Sequence, residues 1–134
     1  MRNVQTTSGY VPPRIPSMPT SAKRQSPLFT TGKIVATPAV LKLLERTGFT
    51  VEALIKRHVS GDFGDVDGRD AAANDAAVRS GARITSVYRL LESLWLDFVP
   101  RNERSQLPTV WIVTDAASED GKRATTTILR PQDL

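Results

Sequence analysis

Thr109-Val110-Trp111-Ile112-Val113-Thr114, then Ser118-Glu119-Asp120-Gly121-Lys122-Arg123, then Ala124-Thr125-Thr126-Thr127-Ile128-Leu129: two β-rich runs flank a turn signal, and this reading decides the fold. β-Branched and aromatic side chains suit a pleated surface. Asp120-Gly121 offers the positive backbone angles of a tight antiparallel turn. The pattern predicts strands over 109–114 and 124–129 joined as a hairpin. Upstream, Arg83-Ile84-Thr85-Ser86-Val87-Tyr88-Arg89 reads as a third strand, and Lys33–Ala36 as a short strand on an edge. Side chains two apart share a strand face, so Ser86 aligns with Tyr88, and Ile112 with Thr114.

Three helices are expected between the short Lys33–Ala36 strand and the other three strands. Thr37-Pro38 is a start signal, because Thr caps a free backbone N–H and Pro at the first position loses no hydrogen bond. That helix should run to about Thr47, with Val40, Leu41 and Leu44 inward and Gly48 closing it. Thr50 caps a second helix over about 51–58, with Leu54 and Ile55 inward, and an alanine-rich third runs from about Arg69 to Ser80 before Gly81. The expected class is α+β, a three- to four-stranded, mainly antiparallel sheet packed against about three helices. Residues 28–134 are read as one such domain. Residues 90–108 are too long for a hairpin loop, and Leu90, Leu91, Leu94, Trp95 and Phe98 recur at helical spacing. They predict an inserted amphipathic helix. Its apolar side either covers the core or marks a partner or homo-oligomer surface.

Charge divides the chain. Of 18 Lys and Arg, the four in residues 1–27 (Arg2, Arg14, Lys23, Arg24) meet no acidic residue, while the other 14 are matched by all 14 Asp and Glu. The net charge of +4 therefore belongs to the leading segment, and the remainder lacks the basic balance of a nucleic-acid-binding body. Residues 1–27 also hold five of the nine prolines, which predicts a disordered basic tail. Tyr10, Val11, Ile15 and Met18 are its candidate anchors if it orders on a partner. The chain has no Cys, which excludes disulfides and zinc-thiolate sites and suits a reducing cytoplasm. No apolar run approaches a membrane span.

Three sets of residues carry potential chemistry. His58 with Asp62, Asp65 and Asp67 brings an imidazole and three carboxylates to a glycine-containing loop, a divalent-cation pattern without the alternation of an EF-hand. Alternatively, Asp67 caps the following helix while Asp62 and Asp65 satisfy loop amides. The second set, Arg83, Ser86, Tyr88, Thr114 and Thr125–Thr127, forms either an anion- or nucleotide-binding sheet face or a solvated face of Thr–Thr pairs. Nucleophilic catalysis has little material, since Ser60 is too near His58 in sequence and no catalytic motif occurs. No metal or cofactor is expected. The third set, Trp95, Phe98 and Arg101 with Tyr10 in the tail, has the aromatic-plus-arginine composition of protein-binding anchors.

The run Arg57-His58-Val59-Ser60-Gly61-Asp62-Phe63-Gly64-Asp65 resembles the R-H-x-S-G-D-W-G-D motif of small "plasmid-related" proteins of bacterial plasmids, integrative elements and phages. Asn74, then Arg83-x-x-Ser86-x-Tyr88, Trp111-Ile112-x-Thr114 and Thr126-Thr127-Ile128-Leu129-x-Pro131 extend the resemblance across about residues 28–134. Phe63 stands where the family often has Trp, and Leu134 where a terminal Tyr is usual. The resemblance implies a mobile-element setting and no particular reaction. The expected function is thus a non-enzymatic accessory protein that binds a host or element-encoded protein, with interference with host defence as one version. Two alternatives stay open: a nucleotide- or metal-dependent enzyme centred on residues 57–67, and a DNA-binding protein using the basic tail.

Overall fold

Short-range hydrogen bonds set the helix limits in the computed structural model, which describes residues 26–134. The expectations for residues 1–25, Tyr10 among them, lie outside the described residues. Thr37 Oγ1 accepts the Val40 N–H at the start of α1 (Pro38–Thr47), and the Gly48 N–H closes it on the Leu44 carbonyl. Thr50 caps α2 (Val51–Val59) through the Ala53 N–H, and Asp67 caps α3 (Gly68–Ser80) through the Asp70 N–H. The buried stripe of α1 is Val40, Leu43 and Leu44; Leu41, expected inward, is exposed. At 100° per residue, positions 40, 43 and 44 fall within one narrow arc and position 41 lies outside it.

The strands are β1 (Lys33–Ala36), β2 (Ile84–Arg89), β3 (Thr109–Thr114) and β4 (Thr125–Leu129), in the order β1-β4-β3-β2. β2–β3 and β3–β4 are antiparallel, and β1 runs parallel to β4 at the far edge, so the sheet is mixed and the fold α+β. The hairpin tightens at Gly121, whose φ is 82° and whose N–H donates to the Ser118 carbonyl. Alternation sends Ser86, Tyr88, Ile112, Thr114, Thr126 and Ile128 to the buried face. There Tyr88, Ile112 and Ile128 pack with Val40, Leu44 and Leu54. A second cluster of Phe29, Phe63, Ala77 and Ile84 fills the space under α3.

Residues 90–108 do not form the expected amphipathic helix. Leu90 continues the strand pairing, its N–H donating to the Pro108 carbonyl, and its side chain is buried in the core. Only one turn of α-helix follows, α4 (Ser93–Leu96), and then a 3-10 helix over Arg101–Gln106. Pro100 separates them: it has no N–H to donate and its ring obstructs a continuing helix. Among the described residues no helix is long and apolar enough to cross a membrane.

Candidate functional site

The residues from Arg57 to Asp65, with Asn74, converge on one strand. β2 is an edge strand, so the backbone groups along its outer side need partners from outside the sheet. Asn74, almost fully buried, supplies two: its Nδ2 donates to the Thr85 carbonyl (2.8 Å) and its Oδ1 accepts the Thr85 N–H (3.2 Å). Two residues on, the Val87 N–H donates to the Phe63 carbonyl (3.0 Å) and the Val87 carbonyl accepts the Asp65 N–H (2.6 Å). Such close approach requires Gly64, where φ is 77° and a Cβ would stand 2.1 Å from the Val87 oxygen. Tyr88 completes the brace by donating its hydroxyl to the Asp62 carbonyl (2.7 Å).

On the inner side of the same strand lies His58, 0% exposed. Its Nδ1 is 2.6 Å from Ser86 Oγ and its Nε2 is 2.8 Å from Thr114 Oγ1, which is 2.7 Å from Thr126 Oγ1. The Thr126 hydroxyl donates to the Thr31 carbonyl (2.8 Å). A carbonyl only accepts and a hydroxyl has one proton, so the direction of the chain follows from Thr31 back to His58 Nε2. Burial first, and the Arg123 charge second, lower the His58 pKa from 6.5 to about 4, which keeps the imidazole neutral near pH 7. Thr114 must donate to Thr126 and His58 must donate from Nε2; with the ring neutral, Nδ1 is bare and accepts from the Ser86 hydroxyl.

This pairing is one that sequence reasoning missed. Ser60 is the serine near His58 in sequence, yet Ser86 is the one beside it in space, 28 positions away. Its hydroxyl donates to the imidazole as a nucleophile's would, but Ser86 and His58 are both fully buried, which leaves a substrate no approach. Strand parity did place Ser86 and Thr114 on regular faces; what it lacked was which face the helices cover. The grouping of Arg83 with Ser86 and Tyr88 is accordingly divided. Arg83 is exposed and borders a groove on the opposite sheet face with Thr85, Trp111 and Thr127.

The carboxylates separate into three roles. Asp67 caps α3 as expected, and Asp62 accepts the Gly64 N–H (3.2 Å) while pairing with Arg57 (2.7 Å). Asp65 does not satisfy loop amides with its side chain. Its side chain is 8% exposed and takes Arg89 on one oxygen and Arg104 on the other, each at 2.9 Å, with Arg101 at 3.6 Å. Burial alone would raise the Asp65 pKa, but the hydrogen bonds and charges of Arg89 and Arg104 outweigh it and hold the carboxyl below its usual range. The same contest, won by Arg57 and the Gly64 N–H, lowers Asp62. Burial pushes the Tyr88 phenol well above its ordinary value.

These groups form the polar wall of a cleft of about 480 Å³ whose other wall includes Phe49, Leu91 and Leu96. An entering anion must compete with Asp62 and Asp65 for guanidinium groups already engaged. Among the described residues no group of three His, Cys, Asp or Glu is placed to hold a metal ion. Arg104 then links the cleft to the third candidate set. While bound to Asp65 it also donates to the Leu96 and Val99 carbonyls, at 3.2 and 3.1 Å, clamping the turn that carries Trp95 and Phe98. Those rings are 57% and 75% exposed, with centroids 6.3 Å apart. Arg101 stands exposed beside the clamp.

Fold and site together define an α+β protein whose edge strand is sealed by a glycine-aspartate loop and whose aromatic turn is fastened to that loop. No family model, curated protein or solved structure matches the chain.

Proposed function

We propose that this is a non-enzymatic accessory protein of a bacterial mobile element that binds a macromolecular partner, a host or element-encoded protein, through Trp95, Phe98 and Arg101. The observation that carries the reading is two large aromatic rings side by side in solvent on a turn held by a part-buried Asp65–Arg104 ion pair. Exposed aromatics cost solvation unless a partner covers them, and a turn already clamped loses little entropy on binding. Arginine beside paired aromatics is the usual composition of a binding hot spot. The resemblance of the Arg57–Asp65 run supports the mobile-element setting and makes host-defence proteins the first partners to test. The sealed Ser86–His58 pair and the engaged aspartates favour binding over catalysis.

The test is substitution, because removing residues 91–106 would also strip Arg104 from Asp65. The double variant Trp95→Ala, Phe98→Ala should fold as the parent does and lose capture of a defined partner from the source cell by more than tenfold. Undiminished capture of that partner by the folded variant would remove the basis for this reading.

A further inference from the structure

Arg123 is 6% exposed, yet among the described residues it forms no salt bridge. Buried charges are ordinarily paired, because desolvation is expensive. Its Nη1 donates to the Ala82 and Asp115 carbonyls, at 2.7 and 3.0 Å, and its Nη2 to the Ala77 carbonyl at 2.9 Å. The last is at the C-terminal end of α3, where a cation is favoured. A guanidinium has five N–H groups. These bonds leave the Nε–H and one Nη2–H without a protein acceptor among the described residues. Arg123 lies over the Phe29 ring, 5.6 Å from its centroid. It also lines a cleft of about 400 Å³ bordered by Thr30, Arg79 and Glu119. The cleft is separate from the Asp62–Asp65 cleft and plays no part in the proposed partner contact.

We propose that this second cleft is an oxyanion site, in which a carboxylate or phosphate group accepts the two unclaimed N–H groups of Arg123, with Arg79 at the rim. The protein carbonyls fix the guanidinium plane without neutralising it, so the donors are oriented before the anion arrives. A carboxylate or phosphate group offers more than one acceptor oxygen to these donors, which a spherical halide does not. Glu119 also lines this cleft, and its negative charge offsets that of Arg79, which favours singly charged anions over polyanions.

The full-length protein is titrated with sodium phosphate and, separately, sodium acetate, with sodium chloride at matched ionic strength as the reference. The arginine Nε–H resonances are followed by NMR, with the Arg123 signal identified by its proximity to the Phe29 ring. A saturable displacement of that signal by phosphate alone supports a phosphorylated ligand, and by acetate alone or by both supports a carboxylate or a general oxyanion site. Arg79→Ala, a change on an exposed helix end, should weaken the saturable response by about fivefold through lost Coulomb attraction. Arg123→Lys should abolish it where that variant folds. A non-saturating drift equal to that in chloride, or saturable binding that leaves the Arg123 signal unmoved, overturns the proposal.

Discussion

The loop from Arg57 to Asp65 and the turn around Trp95 and Phe98 meet at one ion pair yet are built on opposite terms. In the loop, the motif groups are engaged: His58, Asp62, Gly64 and Asp65 each meet a partner on β2 or an arginine, with Asp62 alone among them largely exposed. In the turn, the bulky apolar side chains face water and the backbone beneath is held by Arg104. Polar, motif-like residues here brace the fold, and the apolar residues are the ones free to recognise something. The usual intuition, in which Asp and His signal the site and Trp and Phe the core, is reversed.

Four measurements break or sharpen this contrast. Gly64→Ala should be the most damaging change, costing about 4 kcal/mol or preventing folding, since it forces a Cβ onto the Val87 oxygen at a left-handed backbone position. A urea midpoint within the parent's error would mean that the loop does not seat on β2 as described.

Acid should act next. His58 has a folded pKa of about 4 against an ordinary 6.5. The unfolded chain therefore takes up a proton in this window that the folded chain refuses. The stability held by the neutral ring is fully present above pH 6.5 and falls as pH drops towards 4, by about 3 kcal/mol in all. Asp62 and Asp65, whose folded pKa values are depressed, lose their contributions only below their ordinary 3.8, so the two windows separate. Denaturation midpoints that stay level from pH 7 to 4.5 would show that His58 is not sealed.

Asp65→Ala leaves Arg89 and Arg104 without their carboxylate, and a loss of about 2 kcal/mol is expected, less than for a fully buried pair because both arginines keep some solvent. It should also release the turn, so partner capture drops even at temperatures where the variant is folded. Retained capture would separate the aromatic turn from the loop that anchors it. The smallest stability effect belongs to the Trp95→Ala, Phe98→Ala variant. It should lie within about 0.5 kcal/mol of the parent, because exposed side chains contribute little. A larger loss would place those rings in the core and not on a surface.

Legibility followed the range of the interactions. Thr37, Thr50, Asp67, Gly48 and Gly81 act on backbone groups a few positions away, so the limits of three helices could be read from neighbouring residues. Strand alternation likewise put Ser86 with Tyr88 and Ile112 with Thr114. The 90–108 segment misled because its leucines have helical spacing, while Pro100 and the pairing of Leu90 with Pro108 are incompatible with one helix.

By itself, then, the sequence determined the three longer helices and the four strands, the hairpin at Gly121, the cap at Asp67 and the charge difference between the leading segment and the rest, all consequences of local geometry or simple composition. Only the tertiary structure decided that β1 lies parallel to β4, that His58 meets a serine 28 positions away, that Asp65 gathers arginines from two later segments and that Arg123 is buried with no counter-charge among the described residues. Those outcomes depend on which sheet face the helices cover. That choice is made by the summed burial of the whole core, which no short stretch of residues encodes.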